Sequence, residues 1–160
     1  MGSGVTILGT QVSFHRNDAA QLGLGFVVQR ATATLPQTAT QAIFTVTGRV
    51  YIQQILGEVT TVIQTQACNL SLEANPTATG SSVALCAVRN ISADAVATLY
   101  GITGTAATAL QAGLAILGQA TPVILQAGTL DLVASASNTG AVKWTVRYFP
   151  IDDDALIVAA

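Results

Sequence analysis

The sequence predicts an all-β fold, an antiparallel β-sandwich or jelly-roll-like domain with an extended N-terminal arm. Short apolar or alternating runs follow one another, separated by turns rich in Gly, Asn and Pro, at a spacing of about 8–12 residues. Two alternating runs flank a short turn near the C-terminus, Asn138–Gly140. Charged residues make up only 9% of the chain and hydrophobic residues 51%, against about 25% charged in ordinary soluble domains.

The 160 residues suit one domain, which we place at 25–160, after an arm at 1–24. Glycines break the periodicity of the arm, and its apolar residues occur singly. Such a segment rarely folds alone, so we expect it to lie across a neighbouring molecule and to become ordered on contact. The candidate interface residues in and next to the arm are Val12, Phe14, His15, Arg16, Leu22, Leu24 and Arg30.

Four strands are predicted in the first half of the domain. Pro36, which has no N–H for a β-ladder, ends the first strand, and Gly57 is predicted to separate the last two. Beyond Ala67 the apolar parity changes, so Cys68, Leu70 and Leu72 share a face, which indicates a bulge or turn. The predicted strands are Phe26–Thr34, Ala42–Thr47, Val50–Ile55 and Glu58–Gln66.

The second half contains less regular segments. Ser81–Arg89 is apolar on both faces and fits a buried strand or a short helix. Ser92 could cap a short helical turn through Ala97, and the Ala-rich segment Thr105–Gly118 has moderate helix propensity. Further strands are predicted at Leu99–Thr103, Val123–Leu125 and Leu156–Ala159.

The alternation in Gly128–Phe149 predicts a β-hairpin. With Asn138–Gly140 as the loop, Ala134 would face Trp144 and Leu130 would face Tyr148, all on one side of the pair. We therefore expect Trp144 in the core and not on a sugar-stacking surface.

Composition excludes several classes of function. The six basic residues are scattered, so no basic surface is available to neutralise phosphates, and nucleic acid is not an expected partner. The most apolar stretch, Ala109–Leu125, is interrupted by Gln, Gly and Pro, which argues against a membrane-spanning helix. The first residues lack a basic segment followed by an apolar one, so export by the general secretory route is not expected.

No motif indicates catalysis or a cofactor. Cys68 and Cys86 with a single His are too few ligands for a zinc site, and without export we expect buried free thiols. Asp152–Asp154 would point in alternating directions, which favours a solvated turn or an interface salt bridge over Ca²⁺ binding. His15 and Arg16 lack an accompanying nucleophile motif, so we expect polar contacts of the arm, no enzyme activity, no metal and no cofactor.

Several segments within about residues 40–160 carry a family resemblance. They read FTVTGRVYIQQILGEVTTVIQTQ, ALCAVRNI, LYGITGT and TGAVKWTVRYFPIDDDALI. In their order along the chain and in their residue pattern, these segments resemble small head-decoration (cement or capsid-stabilising) proteins of tailed bacteriophages.

The resemblance implies a virion protein on the outer capsid surface, assembled in the host cytoplasm, that bridges capsid subunits without catalysing a reaction. Its implied partners are the major capsid protein and further copies of itself, with a trimer expected.

Two alternatives remain open. A receptor- or glycan-binding module of a phage tail fibre would show an exposed aromatic platform around Tyr51, Tyr100 or Trp144. A secreted or enzyme-associated β domain would require export and an oxidised Cys68–Cys86 pair.

Overall fold

The protein is a β-sandwich, as the sequence predicts. A computed structural model describes residues 23–160, together with the main chain of residues 6–8 and 11–13. No helix occurs in these residues, and two six-stranded antiparallel sheets pack against each other. Among the described residues no helix has the length and apolarity that crossing a membrane requires.

The strands are short except for those that form the middle of the sandwich. In chain order they are β1 (Thr6–Leu8), β2 (Gln11–Ser13), β3 (Phe26–Thr34), β4 (Thr40–Thr47), β5 (Val50–Thr61), β6 (Asn69–Pro76), β7 (Val83–Ala84), β8 (Arg89–Asn90), β9 (Leu99–Gly101), β10 (Gln111–Gly113), β11 (Val123–Leu125), β12 (Gly128–Ala134), β13 (Ala141–Pro150) and β14 (Leu156–Ala159).

The two sheets have different strand orders. Sheet I runs β10-β9-β5-β13-β3, with β11 also paired to β5. Sheet II runs β14-β4-β12-β6-β7, with β8 also paired to β6. Strands β1 and β2 pair with each other in a separate two-stranded sheet.

The core lies between the inner faces of the two sheets. Its largest fully buried side chains are Trp144, Tyr100, Tyr148 and Phe44. Around them pack the inward Val, Ile and Leu residues of β4, β5, β6, β12 and β13. Burial of this apolar area is the main term that stabilises the fold, at about 25 cal/mol per Å².

The predicted hairpin in Gly128–Phe149 is wrong as a pairing, although its two strands are present. Strand β12 pairs with β4 and β6 in sheet II, whereas β13 pairs with β3 and β5 in sheet I. The segment between them therefore crosses the sandwich. Leu130 and Trp144 both point into the core, as predicted, but from opposite sheets.

Asn138 holds this crossing segment in place. Its side chain is 2% exposed, and its Oδ1 accepts hydrogen bonds from the main-chain N–H groups of Gln64 (3.0 Å) and Gly140 (2.9 Å). An Asn side chain that replaces a main-chain acceptor in this way closes a local turn. The turn residues read from the sequence are therefore right, but they connect two sheets.

Gly57 does not end a strand, because β5 continues through it from Val50 to Thr61. A Cβ at Gly57 would lie 2.8 Å from the Trp144 ring, so the indole occupies the space of the missing side chain. Glycine within a strand often marks such a close approach. The sequence pattern was interpreted as a break because it does not reveal what packs across the position.

Neither predicted helical segment is helical. Ala93 and Ala97 have φ angles of 61° and 69°, which a right-handed helix cannot contain. In Thr105–Gly118, the main chain pairs with distant segments, at Ala109 with Ala87 and at β10 with β9. Ser81–Arg89 forms only the short strands β7 and part of β8.

The remaining strand predictions are largely confirmed. The bounds of β3, β11 and β14 match residue for residue, and Ala42–Thr47 lies within β4. The predicted strands Leu99–Thr103 and Glu58–Gln66 end earlier, at Gly101 and Thr61. The parity switch near Ala67 marks the passage of the chain from sheet I to sheet II.

Candidate interaction surface

The outer face of sheet I is the most distinctive surface of the described residues. Ile124, Tyr51 and Phe149 are cross-strand neighbours in one row across β11, β5 and β13. Ile124 is 63% exposed and Tyr51 is 37% exposed. The Tyr51 and Phe149 rings meet edge to face, with centroids 6.0 Å apart. We call these three residues the apolar row.

The next row combines polar side chains with one exposed apolar side chain. Arg147 lies between Gln54 of β5 and Val27 of β3, and Val27 is 59% exposed. A register shift between Arg147 and Tyr148 places the additional residue Gln53 on this face. The side chains border a shallow depression of about 380 Å³.

Gln54 and Gln119 connect this depression to the loop before β11. The Oε1 of Gln54 accepts a hydrogen bond from the Gln119 main-chain N–H at 2.9 Å. The Nε2 of Gln119 donates to the main-chain oxygens of Thr121 (3.0 Å) and Ile52 (3.4 Å). The Oε1 of Gln119 is buried and has no partner in the described residues.

The same loop carries two strongly exposed leucines. Leu114 and Leu117 are each 80% exposed, and the loop follows β10 and runs to the edge strand β11. It belongs to the stretch Ala95–Leu130, which contains no charged residue. Exposed apolar side chains without intervening charge are typical of a surface that is covered by another molecule.

Charge lies at the other end of the outer face. Glu58 of β5 and Lys143 of β13 are direct cross-strand neighbours. Along the outer face, the apolar row is therefore followed by the row of Gln54, Arg147 and Val27, and Glu58 and Lys143, which have opposite charges, lie farther along the same two strands.

Of the seven predicted interface residues, the structure places two beside this face or its edge. Leu24 is 50% exposed, and its main-chain oxygen accepts from Arg147 Nε (2.9 Å) and Nη2 (2.5 Å). Arg30 Nε donates to the main-chain oxygen of Ala160 at 3.2 Å. Phe14, His15, Arg16, Leu22 and the side chain of Val12 lie outside the described residues.

Sequence reasoning missed the residues that shape this surface. The sequence pattern marks Tyr51 only as a candidate for a sugar platform, and it does not distinguish Leu114, Leu117 or Ile124 from other apolar residues. The charge-free stretch Ala95–Leu130 contained the available signal, because its loop and its strand β11 both contribute exposed apolar side chains.

The aromatic platform that a glycan-binding module would show is not formed by these residues as a group. Trp144 is 1% exposed and Tyr100 is fully buried, whereas Tyr51 remains accessible. The prediction that Trp144 lies in the core is therefore confirmed.

Asp152–Asp154 lie in a turn. A solvated turn was one of the two arrangements that the sequence favours for them. The Nη2 of Arg49 lies 2.6 Å from Oδ1 of Asp152, and the Arg49 main-chain N–H donates to Oδ2 at 2.7 Å. These hydrogen bonds hold the pKa of Asp152 below its usual range. The pair joins the turn after β4 to the turn after β13, and its exposure limits its contribution to stability.

Both cysteines are buried, as expected, and they carry free thiols in the structure. The Sγ of Cys86 accepts from the Leu72 main-chain N–H at 3.4 Å, and burial raises the pKa of its thiol. Within the described residues, no group of three or more His, Cys, Asp or Glu side chains is placed to hold a metal ion.

Tyr100 supplies a pH-dependent prediction. Burial, together with a 2.8 Å hydrogen bond from its hydroxyl to Asp94 Oδ2, raises the pKa of Tyr100 well above its ordinary value. The unfolded chain therefore loses this proton above about pH 10 while the folded chain keeps it, so stability falls with rising pH by about 1.4 kcal/mol per unit.

We expect Tyr100→Phe to flatten this alkaline decline, at the cost of one hydrogen bond near neutral pH. Urea unfolding between pH 8 and pH 11.5 measures the slope, with Tyr51→Phe as the matched change at an exposed position. An unchanged slope in Tyr100→Phe would contradict the assignment.

Comparison with known proteins does not identify a family for this chain. No protein-family model, no curated protein and no solved structure matches the chain.

Proposed function

We propose that this chain is a structural virion protein that decorates and stabilises the outer surface of a tailed-phage capsid. Its partners are the major capsid protein and further copies of itself, in a trimer. It bridges capsid subunits through added protein contact and catalyses no reaction. The observation that carries the proposal is the outer face of sheet I, where Ile124 and Tyr51 of the apolar row are exposed beside the loop of Leu114 and Leu117.

The composition of this face supports a protein partner. Interfaces are enriched in aromatic residues and Arg and depleted in Lys. The face presents Tyr51, Phe149 and Arg147, and the whole chain has a single Lys. Gln53, which is exposed, adds neutral hydrogen-bonding groups that suit contact with main-chain and polar side-chain groups.

Assembly on a capsid would cover such a surface with protein. An interface of standard size buries about 1,600 Å², and the lattice repeats each contact many times. Exposure of an apolar face to water is unfavourable in the free protein. The face is then covered in every assembled copy, so assembly stabilises both partners.

The test uses phage capsids that lack this chain. The purified protein should cosediment with them and raise their melting temperature. Ile124→Glu should weaken binding by about 30-fold or more, because it places a charge in the apolar row that the partner would have to bury.

Val88→Glu is the matched control, since Val88 is 59% exposed and lies next to β8, a strand of sheet II, whereas the apolar row belongs to sheet I. It should bind like the unchanged protein. The proposal would be overturned if the protein did not bind capsids, or if the Ile124→Glu variant bound them as well as the control does.

A tail-fibre module that binds a receptor or glycan is the second candidate. The accessible edge-to-face pair of Tyr51 and Phe149 favours it, because an exposed aromatic ring can stack on a sugar. In that case the protein would bind host-cell envelope polysaccharide, Tyr51→Ala would abolish this binding, and empty capsids would not be bound.

A further inference from the structure

Two carboxylates face each other across strands of sheet II. Asp131 of β12 and Glu73 of β6 are direct cross-strand neighbours on the outer face, so their Cβ atoms are about 5 Å apart. Like charges in this relation destabilise a sheet. Among the described residues the only ion pair joins Arg49 to Asp152, so neither carboxylate has a basic partner there.

The carboxylate of Asp131 is also buried. The residue is 4% exposed, and Asn75 Nδ2 donates to its Oδ2 at 3.3 Å. Its Oδ1 is buried and has no hydrogen-bond partner in the described part of the chain. An ionised carboxylate without sufficient partners is costly to bury, so a positive charge supplied from outside the chain would lower the free energy of this arrangement.

The next cross-strand pair on the same face brings further oxygen atoms. Asn75 lies opposite Thr129, two residues along each strand from Glu73 and Asp131. We call these four residues the oxygen block, since they place two carboxylates, an amide oxygen and a hydroxyl together. Strands β6 and β12 contain no Lys, Arg or His, so neither strand supplies a positive charge to the block.

We propose that the oxygen block binds a calcium ion. Ca²⁺ takes about six to eight oxygen ligands from carboxylates, amide carbonyls and water. Asp131 and Glu73 provide the charged ligands, Asn75 provides its amide oxygen, and water completes the shell. Glu73 is half-buried and Asn75 is exposed, so both side chains can turn towards an ion that arrives from solvent.

The ligand set favours calcium over magnesium and predicts weak binding. Mg²⁺ requires a near-octahedral arrangement and gives up its water reluctantly, whereas Ca²⁺ accepts irregular geometry. Because only two of the ligands are charged, we expect a Kd on the order of 10⁻⁴–10⁻³ M, at the weak end of protein calcium sites. The block lies on sheet II, so this inference holds or fails independently of the capsid contact proposed for sheet I.

Thermal unfolding of the purified full-length protein after EDTA treatment tests the site. Millimolar CaCl₂ should raise the melting temperature, because an ion that binds only the folded chain stabilises it by mass action. NaCl of equal ionic strength should raise it much less, and MgCl₂ should act more weakly than CaCl₂. Titration calorimetry with CaCl₂ should give one ion per chain.

Asp131→Asn should change the order of stability. In EDTA it removes the opposed like charge and the unpaired buried charge, so the variant should melt at or above the temperature of the unchanged protein. In CaCl₂ the variant should not respond, and its calcium affinity should be at least tenfold weaker. Glu73→Gln, at the half-buried position, should lose the response in the same way and serves if Asp131→Asn folds poorly.

Asp153→Asn is the matched control, because Asp153 is an exposed acid outside the block, and it should keep the full calcium response. The proposal is wrong if the unchanged protein shows neither a calcium-dependent rise in melting temperature nor heat of binding. It is also wrong if Asp131→Asn and Glu73→Gln respond as Asp153→Asn does. Capsid cosedimentation in EDTA reports separately on the proposed function.

Discussion

Replacing Trp144 by alanine is expected to lower the free energy of unfolding by about 3–5 kcal/mol, the usual cost of removing a large buried aromatic side chain. Trp144 is 1% exposed on β13, the strand that pairs with both β3 and β5 in sheet I. Its ring fills the space above Gly57 and lies 6.4 Å from the ring of Tyr100. Gly57 has no side chain that could fill the cavity, and the Tyr100 hydroxyl is held by its hydrogen bond to Asp94.

Urea unfolding monitored by far-ultraviolet circular dichroism measures this loss. Tyr51→Ala, which removes an exposed aromatic side chain from the adjacent strand, is the comparison and should cost much less. A loss below about 1 kcal/mol in Trp144→Ala would show that the indole is not a central packing element.

Gly57→Ala extends the same experiment, because its effect on the free energy of unfolding should differ between the unchanged protein and Trp144→Ala. In the unchanged protein the new methyl group meets the indole and should destabilise by about 1–3 kcal/mol. In the Trp144→Ala background the same methyl group enters the cavity, so its cost should disappear or reverse. Equal effects in both backgrounds would mean that the two positions are not coupled.

Gly104→Ala is expected to have the second large effect and to reach the proposed interaction surface. Gly104 has a φ of 87°, which L side chains rarely adopt. An added Cβ would also overlap the main chain of Thr121, whose N–H donates to the Thr103 oxygen at 3.0 Å. We expect a loss of about 2–4 kcal/mol from strain and overlap together.

The loop before β11 should move in this variant, because Thr121 and Gln119 anchor it. Leu117 and Gln119 would then leave their positions beside the outer face, so capsid binding should fall along with stability. Gly80→Ala is the matched control: Gly80 has a φ of 62°, but a Cβ there would meet no atom within 4 Å. It should cost about 1–2 kcal/mol from backbone strain alone and leave binding unchanged.

Equal losses of stability in Gly104→Ala and Gly80→Ala would show that the overlap with Thr121 does not contribute to the destabilisation. Thermal unfolding and capsid cosedimentation of the two proteins provide both readouts.

Much of the fold follows from local sequence patterns. Alternation of apolar and polar residues predicts which side of a strand is buried, and it did so for β13 and for β12, except that Asp131 on the other side of β12 is buried as well. Pro36, Gly48 and Asn138 mark turns because their backbone preferences are local. Local patterns also located β3, β11 and β14 with correct bounds.

Pairing between strands could not be obtained in this way. Both sheets of a sandwich have an inner face, so the same alternation suits two strands that pair side by side and two strands that face each other across the core. Leu130 and Trp144 illustrate the ambiguity, since both are buried as predicted although they lie in opposite sheets. Helix propensity failed at Thr105–Gly118 for a related reason, since long-range main-chain pairing outweighs a preference of a few tenths of a kcal/mol per residue.

The interaction surface was predictable only in outline. The missing charge in Ala95–Leu130 predicts a surface that another molecule covers, but it does not predict which side chains remain exposed. Tyr51 and Ile124 come together because β11 pairs with β5, and 72 residues separate them in the chain.

By itself, the sequence determined the all-β class, the buried face of most strands, the turn positions and a chain poor in charge, because each depends on residues close together along the chain. The tertiary structure alone decided which strands share a sheet, why a glycine lies beneath Trp144, and where exposed apolar side chains gather into one surface. These features depend on contacts between distant residues, and their energies are set only when the two sheets pack together.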